Sequence, residues 1–171
     1  LLLDRLPDAA AVVLDRPRGV FVQLTDAETQ SLLRSGASAG TTAIDRGTLA
    51  AAATACIERA RVAAPARLDA DVVLVYLGAV WINDALMLAA RDARARGARS
   101  VYLLYDLTPV LDAGHTAAVN RLFERYLTLV SQTASRVPSI SASSRHDFEE
   151  YCRSRGWSPP SGAATGLPCG L

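Results

Sequence analysis

Lysine is absent from this chain: all 18 basic residues are arginine, set against 17 carboxylates for a formal net charge of +1. A charge this close to neutral argues against a nucleic-acid platform, which would need a basic stripe to neutralise phosphates. The missing lysine, together with abundant alanine, reads as genome-level composition and carries no functional meaning. Cysteine is scarce too. Cys56, Cys152 and Cys169 are odd in number, widely spaced and without a CxxC pair, so free thiols are expected. His115 and His146 stand too isolated to nominate a metal site, and each reads as a surface residue. No run approaches the ~20 apolar residues of a membrane helix, and LLLDRL at the start lacks the basic flank and cleavage site of a signal peptide. The expectation is a soluble, cytoplasmic protein, with a position at the inner face of the membrane left open. Two chemical signatures are also missing. Without GxGxxG after a strand or GxxxxGK[ST], the dehydrogenase and P-loop readings lose their main support.

What remains is an ordinary globular composition. With 171 residues, 50% hydrophobic and 20% charged, the chain is long enough to bury a core without disulfides or metal, and one domain over 1–171 is expected. Strand and helix patterns alternate, the arrangement of an α/β layered domain with a mostly parallel sheet. Leu1 to Leu6 reads as the end of a helix, followed by a short strand over Ala11 to Leu14 and another over Gly19 to Leu24. Thr25 with Glu28 forms a capping-box pattern that opens a helix ending near Gly36, and a small, polar loop then runs to Arg46. The next helix spans Thr48 to about Val62, with Leu49, Ala53, Ile57 and Ala60 on one stripe. Asp71 starts DVVLVYLG, a buried strand, and residues 84–96 form a helix stopped by Gly97, with Arg91 and Arg94 on a solvated face. The clearest helix carries Val119, Leu122, Phe123, Tyr126, Leu127 and Val130 at helical spacing. A short strand over Val137 to Ser141, weakened by Pro138, precedes a helix whose start is marked by Ser144 and Asp147 and whose end is marked by Gly156. Pro159 and Pro160 mark a loop, and ATGLPCG (164–170) reads as a last short strand.

One stretch is the most informative. In VYLLYDLTPVL (101–111) an apolar run from Val101 to Tyr105 is too short for a helix and too continuous for a half-exposed strand. It therefore reads as a strand covered on both faces in a parallel sheet. Pro109 turns the chain and pushes Thr108 toward extended geometry, leaving Tyr105, Asp106 and Thr108 at the carboxyl end of that strand. In open α/β sheets this edge is where ligands bind.

Two further sets of polar residues follow strands: Trp81, Asn83 and Asp84 after one, and Ser141, Ser144 and Arg145 after another. If the sheet is parallel, all three sets line a single cleft. Each residue has a structural alternative. Asp106 fits an Asx turn, Trp81 a packing role and Ser144 an N-cap. Arg145, in a first helical turn, opposes the helix dipole, a cost that a binding role would explain.

These segments resemble the N-terminal, acceptor-side domain of family-4 glycosyltransferases of the two-domain GT-B type, in particular bacterial mannosyltransferase-like enzymes of polysaccharide assembly. The matching stretches are DVVLVYLGAVW (71–81), YDLTP (105–109), Phe123 within NRLFERYL and SISASSRHDF (139–148), with GLPCG (166–170) similar to the entry to the interdomain linker. The resemblance is good over about residues 65–171 and poor over 1–64. It implies a Rossmann-like three-layer α/β/α fold, one half of a GT-B architecture, with the usual first strand before Leu1 and a C-terminal donor domain after Leu171. It implies transfer of a sugar from a nucleotide-sugar such as GDP-mannose to a glycan or lipid-linked acceptor, with no metal or other cofactor. Many members place histidine where this chain has Tyr105. Since a phenol is a poor base at neutral pH, Asp106 becomes the better catalytic candidate, with Tyr105 second. Trp81, Asn83, Thr108, Ser141, Ser144 and Arg145 are the expected acceptor contacts. The partners implied are the acceptor and the chain's own donor-binding domain, with no nucleic acid. Peripheral membrane association fits a lipid-linked acceptor, and a lost edge strand would favour pairing of two copies. The isolated fragment is expected to be inactive, because catalysis in this architecture needs both halves closed together. A non-catalytic α/β carbohydrate-binding or partner-docking module is the other reading.

Overall fold

A computed structural model describes residues 9–36, 46–112 and 114–160. The chain is a mixed α/β protein that divides into two compact units, Leu1–Arg67 and Leu68–Leu171. The expected helix end at Leu1 to Leu6, most of the expected loop before Arg46, the strand at 164–170 and Cys169 lie outside the described residues.

In the first unit, β1 (Val12–Asp15) and β2 (Val20–Gln23) form an antiparallel hairpin with Asp15 opposite Val20. The capping box works as the sequence indicates. The Thr25 hydroxyl accepts from the Glu28 N–H at 3.3 Å, while the Thr25 N–H donates to the Glu28 carboxylate at 2.8 Å, opening α1 (Asp26–Gly36). The second helix, α2 (Arg46–Val62), packs on α1 and β1. Its inward stripe differs from the expected one, because Ile57 is 43% exposed and Cys56 is buried in its place. In a helix this rich in alanine, two neighbouring faces carry equally plausible periodicity, and only packing chooses between them. The buried carboxylate of Asp15 pairs with Arg18, whose guanidinium also donates to the carbonyls of Ala60 and Ala63 at the end of α2. A cation is favourable there, since the last helical carbonyls lack intrahelical partners.

In the second unit, β3 (Val73–Tyr76) pairs in parallel with β4 (Arg99–Tyr102), and α3 (Asp84–Ala95) makes the crossover that parallel pairing requires. Gly97 ends the crossover at φ +103°, a conformation open to glycine and costly for other residues. Beyond β4, Arg136 and Ser139 make isolated parallel bridges to Val101 and Leu104, so the expected strand over Val137 to Ser141 survives only as two contacts. Pro138 explains this. Its carbonyl accepts from the Leu104 N–H at 2.9 Å, but it has no N–H to carry the ladder onward.

Among the described residues, one face of the apolar runs of this sheet is buried. Leu74, Tyr76, Tyr102 and Leu104 are buried, while Val73, Val75 and Leu77 are 43%, 53% and 58% exposed. A continuous apolar run tells that both faces could be covered, not that both are. The buried face is aromatic. Tyr76 stacks on Tyr102 with ring centroids 4.6 Å apart, and Tyr102 meets Tyr126 of α5 (Ala117–Thr133) edge-on. Phe123, Tyr126, Leu127 and Val130 are buried along α5 as their spacing indicates, each contributing roughly 1.5–3 kcal/mol. The Tyr102 hydroxyl lies 3.1 Å from Thr133 Oγ1, whose own proton goes to the Leu129 carbonyl, so the tyrosine is the donor.

Two local details depart from expectation. Thr108 opens a short helix, α4 (Thr108–Leu111), instead of lying extended, because proline is well placed in a first helical turn. The last helix, α6 (Ala142–Ser154), is capped by Ser141 and not by Ser144: the Ser141 hydroxyl accepts from the Ser144 N–H at 3.0 Å. No helix among the described residues is long and apolar enough to cross a membrane.

Candidate functional site

The site is assembled at the carboxyl end of the parallel strands. β3 runs out through Leu77 into Gly78, which sits at φ +126° with no atom within 4 Å of where a Cβ would stand. That glycine lets the chain turn away from the sheet and leaves open space beside it. A single helical turn over Val80–Ile82 then carries Trp81, whose ring meets Phe123 edge-on at 5.5 Å. Trp81 is only half-buried, so it both packs and presents a surface.

The neighbouring strand contributes Tyr105, Asp106 and Thr108. Asp106 closes an Asx turn in which Oδ1 accepts from the Thr108 N–H at 2.9 Å, fixing the carboxylate at the mouth of the turn and leaving its second oxygen available. Tyr105 is 46% exposed. Between α4 and α5 the chain makes a short excursion held at both ends. Asp112 Oδ1 accepts from the Gly114 N–H at 2.9 Å, and the Thr116 hydroxyl caps α5 through the Val119 N–H. His115 stands between these two clamps.

Trp81, Tyr105, Asp106, Thr108 and His115 line one cavity of about 490 Å³, floored by Phe123 and Tyr126. Its size falls within the range of small-molecule sites, and its lining has their usual character, mostly apolar with a few convergent polar groups. Burial pushes the Tyr126 hydroxyl well above the ordinary tyrosine range, so it is a neutral group at the cavity floor. Aromatic faces beside a carboxylate, a threonine and an imidazole suit a neutral polyhydroxylated ligand, which presents C–H faces and hydroxyls together.

The other expected contacts lie elsewhere or serve the scaffold. Asn83 caps α3, its side-chain oxygen accepting from the Leu86 N–H at 3.3 Å. Asp84 pairs with Arg125 at 3.2 Å on the exposed side of α3 and α5. Ser141 is the cap of α6, and Arg145 is exposed in its first turn. Ser144 is buried, and its hydroxyl donates to the Tyr105 carbonyl at 2.6 Å, so it holds the rim of the cavity from behind. His115 was read from sequence as a surface residue. The sequence there reads Asp-x-Gly-His-Thr, an Asx-turn signal followed by an N-cap signal.

Comparison with protein-family models, curated proteins and solved structures finds no match for this chain.

Proposed function

We propose that this chain is the acceptor-side domain of a GT-B-type glycosyltransferase, similar to family 4, and that the cavity at the strand ends holds a glycan or the sugar of a lipid-linked acceptor. The observation that carries this reading is the meeting of Trp81 with Tyr105 and Asp106. They come from two separate strand ends, each bearing one of the motifs on which the resemblance rests, and they line the same cavity. On this reading the sheet belongs to a Rossmann-like three-layer domain, and a separate C-terminal domain binds a nucleotide-sugar such as GDP-mannose.

The chain's own residues divide the work. Trp81 and Tyr105 present flat apolar surface to a sugar ring, and the free oxygen of Asp106 accepts from the hydroxyl that is to be glycosylated, orienting it toward the donor. Thr108 supplies a second polar contact. Ser144 and Ser141 position Tyr105 through its backbone and do not touch the ligand.

The test is a titration of the chain with cellobiose, maltose and mannobiose, followed by tryptophan fluorescence. A saturable change that is lost in Trp81→Phe is the expected result, because the remaining Trp157 packs against Tyr151 on α6. GDP-mannose should give no such change. A chain that ignores all three saccharides, or that transfers sugar from GDP-mannose unaided, contradicts the proposal. Saccharide binding with an inactive parent protein would instead favour the non-catalytic carbohydrate-binding module, for which Tyr105 in place of the family's histidine is the specific observation.

A further inference from the structure

The floor of the cavity carries a polar atom that the core does not use. Tyr126 is 3% exposed and borders the cavity beside Phe123. Two ring contacts hold it, since Phe123 lies tilted at 5.5 Å and Tyr102 meets it edge-on at 6.2 Å. Both neighbours are buried, so packing sets the direction of the Tyr126 hydroxyl before any ligand arrives. Among the described residues that hydroxyl makes no hydrogen bond, and it is not sealed inside the protein as the unpartnered oxygens of Ser139 and Tyr151 are. Tyr102 shows the contrast, because its hydroxyl is committed to Thr133 at 3.1 Å. A polar group buried without a partner costs stability unless something else supplies the bond. The space open to this one is the cavity. Its chemistry is also defined: burial, and after it the neighbouring Tyr102, pushes the hydroxyl above the ordinary tyrosine range, so it keeps its proton and offers one donor.

We infer that Tyr126 is a ligand-contacting residue of this cavity, its hydroxyl donating a hydrogen bond to a hydroxyl oxygen of the sugar ring seated there. The inference rests on the saccharide reading of the cavity. It adds a residue from α5, the helix that forms the floor, which neither strand-end motif contains. A ring held this way is gripped at two depths and in opposite senses. One hydroxyl gives its proton to the free oxygen of Asp106, and a deeper one accepts from Tyr126. Few but convergent polar contacts of this kind fix which way round a ligand lies. A sugar that lacks the deeper hydroxyl leaves Tyr126 unpaired and loses that bond's share of the affinity.

The experiment is Tyr126→Phe, which deletes one oxygen and keeps the ring. In calorimetric titration with mannobiose and cellobiose its affinity should fall about five- to tenfold, the loss expected for one hydrogen bond. Its urea midpoint should stay at the wild-type value or rise, since no internal bond is broken. Tyr102→Phe is the counterpart. It breaks the bond to Thr133, so it should lower the midpoint and leave affinity unchanged. A coupling measurement then identifies the contact on the ligand. Of the monodeoxy forms of the tighter-binding disaccharide, one should bind wild type more weakly than its parent does and bind Tyr126→Phe as tightly as its parent does. If saccharides bind wild type but Tyr126→Phe keeps full affinity, or lowers the midpoint as Tyr102→Phe does, the role given to Tyr126 is wrong while the cavity reading stands. The same holds if every deoxy penalty survives the substitution. If neither saccharide binds wild type, the cavity reading fails and takes this inference with it.

Discussion

The hydroxyl of Ser144 donates a 2.6 Å hydrogen bond to the backbone carbonyl of Tyr105. Because its proton is committed there, the 2.9 Å contact between Ser144 and Ser141 has Ser141 as the donor, and the Ser141 oxygen in turn accepts from the Ser144 N–H. The start of α6 and the segment that follows β4 are thus tied by a short chain of hydrogen bonds just behind the cavity rim. Ser144→Ala removes the link and leaves a carbonyl without its partner. It should cost about 1–2 kcal/mol in urea unfolding and weaken saccharide binding only slightly. A Ser144→Ala variant of unchanged stability with abolished binding would make Ser144 a ligand contact instead.

Gly97 gives a backbone test of the same unit. At φ +103° a side chain is strained whatever space surrounds it, and the nearest atom to a new Cβ, the Ala70 nitrogen at 3.5 Å, offers only ordinary contact. Gly97→Ala should therefore destabilise by about 1–3 kcal/mol, read as a lower midpoint in urea with an unchanged slope.

The ion pair of Asp15 and Arg18 offers a sharper contrast in the first unit. Asp15 is 2% exposed, so removing its partner leaves a buried carboxylate facing no cation. Arg18→Met should cost about 2–3 kcal/mol, less than a fully buried pair because the arginine is partly exposed. Adding Asp15→Asn to that variant should recover part of the loss. Equal stability of the single and double variants would show that the pair contributes nothing.

Glu28 predicts a pH dependence. The hydrogen bond from Arg59, and after it the Thr25 N–H, lowers its pKa from 4.5 to about 2. A folded-state pKa below the unfolded value contributes stability that is fully present above pH 4.5 and is lost as the pH falls toward about 2. Wild type should thus exceed Glu28→Gln in stability at neutral pH, and the gap should close through that acid window. Salt should also narrow the gap, since the pair is solvent-accessible and screened. A gap that persists unchanged at about pH 2 and in high salt would assign the effect to the cap's shape and not to its charge.

Much of the second unit was legible in the sequence because its signals were local and strong. The six apolar positions of α5, the stop at Gly97 and the Asx turn at Asp106 each follow from spacing or from the chemistry of one residue. The capping box of Thr25 and Glu28 is of the same kind. What stayed hidden depended on contacts distant in sequence. Whether Cys56 or Ile57 faces inward, and which face of the β3 and β4 runs is covered, is decided by neighbours that periodicity does not name. The Ser141 and Ser144 pair shows how close such decisions are, since both hydroxyls could cap, and the Ser144 hydroxyl is committed instead to the Tyr105 carbonyl.

The cavity was legible in part for the same reason. Trp81, Tyr105, Asp106 and Thr108 follow strands directly, so the parallel-sheet rule alone brings them together. Asn83, Ser141 and Ser144 follow strands too, but helix starts claim their polar atoms, and a single sequence does not say which use prevails. His115 lay beyond the rule entirely, on the segment between α4 and α5 and not after a strand.

The central claim is that the strand-end cavity binds a saccharide. The most direct measurement is amide chemical-shift mapping of the isotope-labelled chain during titration with mannobiose and cellobiose. Shifts confined to residues 78–81, 103–108 and 114–116 are the predicted result. Shifts gathered instead along the exposed side of α3 and α5, around Asp84, Arg91 and Arg125, or no shifts at saturating saccharide, would contradict it.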